Sequence, residues 1–135
     1  MIQIILDVNF LLVPFQFRID IFDEMERLIG RHKPLILSTN LKELELLATR
    51  PPAGTRNAAL SALELARRCH VVIVTKEYGE TNDDVIVRMA DKLNCPVATN
   101  DATLRKRLRD MGVATVFVRN KSHLEIEGYV RSSLR

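Results

Sequence analysis

Short apolar runs alternate with helix-period segments along most of the chain, and this alternation constrains the fold more than any other feature. Residues 2–6 (IQIIL) are dominated by β-branched apolar side chains, which suits a strand buried on both faces. Asp20 is placed to cap a helix carrying Ile21, Phe22, Met25, Leu28 and Ile29 on one face, with Gly30 to end it. Residues 34–38 read as a second strand, and Asn40 opens a helix with Leu41, Leu44, Leu47 and Ala48. The RPPAG run at 50–54 is a breaker, followed by an Ala/Leu-rich helix over 55–68. Residues 71–74 form a third strand. Asn82 caps a helix with Ile86, Met89, Ala90 and Leu93 inward, and residues 96–99 form a fourth strand. Asp101 opens a helix with Leu104, Leu108 and Met111, closed by Gly112, and residues 113–118 form a fifth strand. This order predicts an α/β fold in three layers, α/β/α, with a central parallel five-stranded sheet. Residues 8–19 show no period and read as an irregular segment, of a length that usually serves function.

The chain of 135 residues is long enough for one domain that needs no disulfides. Residues 1–119 are expected to form that domain. Residues 120–135 read as a polar tail, with a short helix at its end. With 47% apolar and 27% charged residues the chain is globular, not disordered. It holds no run approaching the roughly 18 apolar residues of a membrane span. Its start, MIQIILDVNF, lacks a basic region and meets Asp7, unlike a signal peptide. Cys69 and Cys95 read as buried thiols of a cytoplasmic protein, and no CxxC or HxxxH spacing supports zinc.

The net charge of +3 is unevenly spread. Residues 101–135 hold eight bases against four acids, densest in RKRLR at 105–109. Two readings of that cluster are open: a solvated helix surface, or a phosphate-contacting face carried by Arg105, Lys106 and Arg109. Phe10, Phe15 and Phe17 fit core packing or a dimer contact better than base stacking. His70 reads as partly buried, His32 and His123 as surface residues.

In open α/β sheets, sites form beyond the carboxyl ends of the strands. Asp7 follows the first strand, with Asn9 two residues on. Glu43 lies in the first turn after the second strand. Asp83 and Asp84 open the helix before the fourth strand, and Asp101 follows the fourth. All fall on one edge of the sheet. Most have a plain structural role open to them. Glu43 lies three residues after Asn40, as in a capping box. Asp83 and Asp84 suit a helical first turn, and Asp101 suits an N-cap. Asp7 differs, because it ends a buried strand with no helical period directly after it. Burying even a neutral polar group without a partner costs roughly 2–7 kcal/mol. Converging carboxylates also repel one another unless a cation neutralises them, and oxygen-only ligands select Mg²⁺ or Mn²⁺. Such a site suits phosphodiester hydrolysis, with metal holding a phosphate oxygen and activating water.

At these residues the chain resembles the PIN domain family, of the flap-endonuclease-like nuclease fold, over essentially its whole length. The family's opening strand and D-x-N/S motif match ILDVNFLL, with Asp7 and Asn9. Its E-L pair matches Glu43-Leu44 in LKELELLA. Its D-x-x-I-x-x-x-A pattern matches Asp83, Ile86 and Ala90, with Asp84 adjacent. Its T-x-D matches Thr99 and Asp101 in VATNDATLRKRL. The segments VPFQFRIDIFDEME, TNDD and VATND look more like PIN proteins of ribosomal-RNA processing than like average toxins, and some archaeal members of that group are labelled VapC-like. The resemblance implies a metal-dependent endoribonuclease with these acids as ligands of one or two Mg²⁺ or Mn²⁺ ions. It implies Asn9 and Thr99 as residues that orient the ligands. It also implies an RNA substrate, a homodimer, and an antitoxin or pre-ribosomal partner. Thr103 stands where many members carry a further acid, which implies a more weakly held second metal.

Two other site types fail on the residues. A signalling receiver domain needs an acid pair after the first strand and an Asp after the third, where this chain has Thr75-Lys76-Glu77. Dinucleotide and P-loop sites need glycines after the first strand, and DVNFLL has none. A non-catalytic PIN module that binds RNA or a protein scaffold is the remaining alternative.

Overall fold

The computed structural model describes residues 1–130. Strand β1 (Ile2–Leu6) runs through the middle of the sheet. On one side lie β2 (His32–Leu37) and β3 (His70–Val72); on the other lie β4 (Val97–Ala98), β5 (Thr115–Arg119) and β6 (His123–Glu127). β1 to β5 are parallel, as their alternation with helices predicts. The helices are α1 (Val8–Leu11), α2 (Val13–Phe17), α3 (Ile21–Ile29), α4 (Ser38–Leu47), α5 (Ala53–Ala66), α6 (Asn82–Leu93) and α7 (Ala102–Asp110). One core packs α1 to α5 against Ile4, Leu6, Ile36 and Val116. The other packs α6 and α7 against Ile5, Leu35, Leu37 and Val97. β1 is apolar because its residues point alternately into both.

The described sheet is mixed and six-stranded, not parallel and five-stranded. β6 arises within the segment read as a polar tail, and it pairs antiparallel with β5, Val116 opposite Ile126. Its sequence HLEIE alternates, so Leu124 is buried while Glu125 and Glu127 stay partly exposed. Asn120 and Lys121 take φ of 54° and 57°, the positive values a tight hairpin turn needs. The short helix expected at the chain's end lies outside the described residues.

Residues 8–17, most of the segment read as irregular, are largely helical. They form α1 and α2, helices too short to show a 3.6-residue period, and they bury Val8, Phe10, Leu11 and Val13. Phe10 is wholly buried, Phe17 packs against the core and Phe15 is exposed. α4 begins at Ser38 rather than Asn40, with Leu37 at the cap position and no side-chain cap, and the Ser38 hydroxyl instead accepts from Val74 N at 2.9 Å and donates to Val74 O at 3.1 Å. The cap of α6 is Thr81 rather than Asn82. The Thr81 hydroxyl accepts from Asp84 N, and the Asp84 carboxylate accepts from Thr81 N. His70 is exposed on the edge strand β3, not partly buried. Both cysteines are buried. No helix among the described residues is long and apolar enough to cross a membrane.

Candidate active site

The connections from β1 run to β2 on one side, while β4 lies on the other, so a crevice opens where the strand order reverses. Asp7 sits there, directly after β1 and 7% exposed. Its Oδ1 accepts from Val8 N at 2.8 Å, and its Oδ2 accepts from the Thr99 hydroxyl at 2.8 Å. Thr99 follows β4, and its hydroxyl also accepts from Asp101 N at 3.1 Å. Thr99 thus links two of the acids. Burial pushes the Asp7 carboxyl up to about 6 against the two hydrogen bonds, and the charges of Asp83 and Glu43 push the same way.

Asp83 and Asp84 are neighbours with opposite surroundings. Asp84 Oδ1 accepts from Arg107 Nη1 at 2.9 Å, and its Oδ2 accepts from Thr81 N at 2.9 Å. The Thr81 backbone, then Arg107, hold its carboxyl below the usual range. Asp83 makes no hydrogen bond or ion pair among the described residues. Burial raises its carboxyl, and the charges of Asp101 and Glu43 add to that, against a smaller opposing effect of Arg107. Asp101 caps α7, its Oδ1 accepting from Leu104 N at 3.0 Å.

Glu43 has partners that motif reading missed. Asn82 Nδ2 donates to Glu43 Oε1 at 3.0 Å, from α6 across to α4, and Asn40 Nδ2 reaches the same oxygen at 3.5 Å. Asn82 is free to do this because Thr81 takes the cap. The available signal was TNDD, where either Thr81 or Asn82 can cap. Asn9 hydrogen-bonds none of the acids among the described residues. Its Oδ1 accepts from Asn100 N at 3.2 Å and ties the turn after β1 to the turn after β4.

The basic cluster of α7 is paired throughout. Arg105 lies over the Phe117 ring, 3.5 Å from its centroid, and 3.6 Å from Glu127. Lys106 pairs with Asp110, Arg107 with Asp84 and Arg109 with Glu127.

A divalent cation fits this place by chemistry. The candidate donors are carboxylate oxygens, the hard ligands such ions prefer, and like charges couple them. Beside Glu43, Thr39 Oγ1, Asn40 Oδ1 and Asn82 Oδ1 are buried without hydrogen-bond partners among the described residues, which a hydrated ion's waters would satisfy. Among the described residues no three His, Cys, Asp or Glu side chains stand close enough to enclose an ion. The carboxylates are coupled through charge rather than already gathered about one point.

A model of the PIN like domain family matches residues 4–121. The chain belongs to this family. Ribonuclease VapC4 of Methanocaldococcus jannaschii is 34% identical to it over 134 residues, covering 96% of this chain and 100% of that protein. The solved PIN domain endonuclease Utp24 superposes with a TM-score of 0.78 at 28% identity, over 95% of this chain and 92% of that one. VapBC2 from Rickettsia felis, solved bound to a DNA fragment from its promoter, shares the fold. Its TM-score is 0.65 at 16% identity, over 87% of this chain and 100% of that one. In this chain Asp7 directly follows β1 and Asp101 follows the turn after β4, while Glu43 lies within α4 and Asp83 in the first turn of α6.

Proposed function

We propose that this PIN domain is a metal-dependent endoribonuclease that hydrolyses RNA phosphodiester bonds, with Asp7, Glu43, Asp83 and Asp101 holding one or two Mg²⁺ or Mn²⁺ ions. The observation that carries this reading is Asp7, a buried carboxylate pushed up to about 6 and facing the charges of Asp83 and Glu43. The identity to a protein named as a ribonuclease supports RNA as the polymer. The partners carried with this reading are an RNA substrate, a second copy of the chain, and an antitoxin or pre-ribosomal protein, in the cytoplasm.

A divalent ion bound there would neutralise phosphate charge and lower the pKa of an attacking water. The chain's own residues prepare the place. The Thr99 hydroxyl and Val8 N–H fix both oxygens of Asp7, and Asn82 fixes Glu43. The cap of α7 holds Asp101 by one oxygen and leaves the other free for a ligand. Asp84 positions α6 through Thr81 and Arg107, which leaves Asp83 as the ligand of the pair.

The test is a thermal-shift titration with Mn²⁺ on wild type, Asp7→Asn and Asp101→Asn. Asn caps a helix about as well as Asp, so Asp101→Asn removes charge without removing the cap. At ten times its dissociation constant, metal should stabilise wild type by about 1.4 kcal/mol and neither variant. A wild type that does not shift overturns the proposal in favour of a non-catalytic PIN module that binds RNA or a protein scaffold.

A further inference from the structure

A groove of about 660 Å³ runs up to Glu43 and Asn82, between α4 and the loop over residues 74–81 that leads from β3 to α6. Three cations line it, Lys42, Arg50 and Lys76, against the single acid Glu43. All three are exposed, and none of their side chains is in an ion pair or hydrogen bond among the described residues. Lys42 and Arg50 come from α4 and the turn after it, and Lys76 from the loop before α6, so the two walls meet across the groove.

That wall is held firmly. The Ser38 hydroxyl clamps Val74 at both its N–H and its carbonyl. Arg88 Nη2 donates to Thr75 O at 2.9 Å, and the same guanidinium holds Glu80 at 2.9 Å. Lys76 directly follows Thr75, so its backbone is tethered although its side chain is free. Glu80, an acid that could have neutralised Lys76, is committed to Arg88. Leu46 and Leu47 line the groove beside the cations and offer an apolar surface to sugar and base.

A phosphate approaching Glu43, with the charges of Asp7 and Asp83 beyond it, meets like charge. Attraction over the last approach must come from elsewhere, and a cationic wall that ends at the cluster supplies it. The volume falls within the usual roughly 300–1,000 Å³ of a ligand cleft, which suits a few extended nucleotides and not a duplex. We propose that this groove binds the phosphate backbone of single-stranded RNA, with Lys42, Arg50 and Lys76 as positioning residues that lead the strand to the acids. The proposal rests on the nuclease reading above.

The experiment is fluorescence anisotropy with a fluorescein-labelled oligouridylate, in EDTA, across a salt series. It compares wild type, Lys42→Ala/Arg50→Ala/Lys76→Ala, the single variant Lys76→Glu, and the helix variant Lys106→Ala/Arg109→Ala. The triple variant should bind at least about tenfold more weakly at low salt, and its slope of log K against log salt should flatten by about 2, for three phosphate contacts. Lys76→Glu should weaken binding in the same direction, and the helix variant should match wild type. The triple variant should keep the wild-type Mn²⁺ thermal shift, which shows an intact fold and acid cluster. Wild-type affinity and slope in the triple variant would overturn the proposal. So would loss of binding confined to the helix variant, or no binding of the oligouridylate by wild type at low salt. Polyglutamate competing as well as RNA would overturn it in favour of an acidic protein partner. RNA binding that depends on the groove, with no Mn²⁺ shift in wild type, would sink the nuclease reading and leave the groove standing.

Discussion

Two basic regions flank the acids, and they handle charge in opposite ways. Helix α7 carries the densest run in the sequence, yet each of its four cations meets an acid within 4 Å or less. Lys42 and Arg50 on the α4 side and Lys76 on the loop opposite converge on one groove, and their side chains form no ion pair among the described residues. On α7 the charge fastens the helix to α6 through Asp84 and to β6 through Glu127. In the groove it is left for something outside the chain. A run of bases in sequence is therefore weaker evidence of a binding face than cations that the fold brings together unpaired.

The largest effect that tests this contrast lies in the pair Asp83 and Asp84, of which only Asp84 belongs to the α7 network. Asp83→Asn should lower cleavage by about 10²–10³-fold or more, as loss of a group that organises transition-state charge does. Asp84→Asn should cost less than Asp83→Asn, at most about 10–100-fold, the range for a residue that supports a ligand rather than binding the ion. It should lower the melting temperature, because the capping box and the bond to Arg107 both weaken. Single-turnover cleavage and thermal melts on the same preparations check both. Reversed effects would move the ligand role to Asp84.

Next in size is Asp7. Its folded value of about 6 lies above the ordinary 3.8, so the folded protein keeps this proton to higher pH than the unfolded chain. The metal-free contribution of Asp7 to stability is then greatest below 3.8 and falls as pH rises to about 6. Asp7→Asn should recover that loss in EDTA above this window, by at most about 3 kcal/mol, at about 1.4 kcal/mol per pKa unit. Metal reverses the sign. Mn²⁺ binds the ionised form, so its thermal shift in wild type should grow as pH rises through about 6. Melts in Mn²⁺ and in EDTA across that window measure both effects. A pH-independent Mn²⁺ shift would place the ion away from Asp7.

The parallel core of this fold was legible because β1, β2, β4 and β5 are short apolar runs bounded by helix signals. The strand-end rule points to the same acids, of which Asp7 is buried after β1 and Asp83 and Glu43 couple to it by charge. β6 was missed because a two-sided polar context hid an alternation carried by only Leu124 and Ile126. α1 and α2 were missed because helices of four and five residues cannot display a period. Asn82 read as a cap because its neighbour Thr81 offers the same chemistry, and only the fold decides which of them turns toward Glu43. The groove was illegible for a simpler reason. Lys42, Arg50 and Lys76 are isolated in sequence, and nothing local says that α4 and the loop before α6 face each other.

A smaller effect comes from Arg105, which is stacked on Phe117 and only partly exposed. Its stem covers apolar surface and its head sits over the ring, so its role in the fold is packing as well as charge. Arg105→Ala should destabilise the protein by about 1–2 kcal/mol in denaturant melts. It should leave the affinity for single-stranded RNA unchanged. Weaker RNA binding at unchanged stability would mean that this cation serves the ligand and not the core.

The smallest effects are expected at Lys106 and Arg109, and they bear most directly on the contrast between the two basic regions. Lys106 pairs with Asp110 one helical turn away, and Arg109 shares Glu127 with Arg105. Exposed pairs of this kind hold side chains in place and contribute little to stability. Their charge is also locally cancelled, so a passing phosphate meets a cation and an acid together. Lys106→Ala and Arg109→Ala should each leave the melting temperature and the RNA salt slope at their wild-type values. Breaking the pair from the other side is the sharper experiment. Asp110→Asn removes the acid and frees Lys106, so RNA affinity at low salt should rise slightly, since each added phosphate contact steepens the slope by about 0.7. If Asp110→Asn changes nothing while Lys106→Ala weakens binding, then Lys106 reaches RNA in spite of its partner. The paired helix would then be part of the binding face after all.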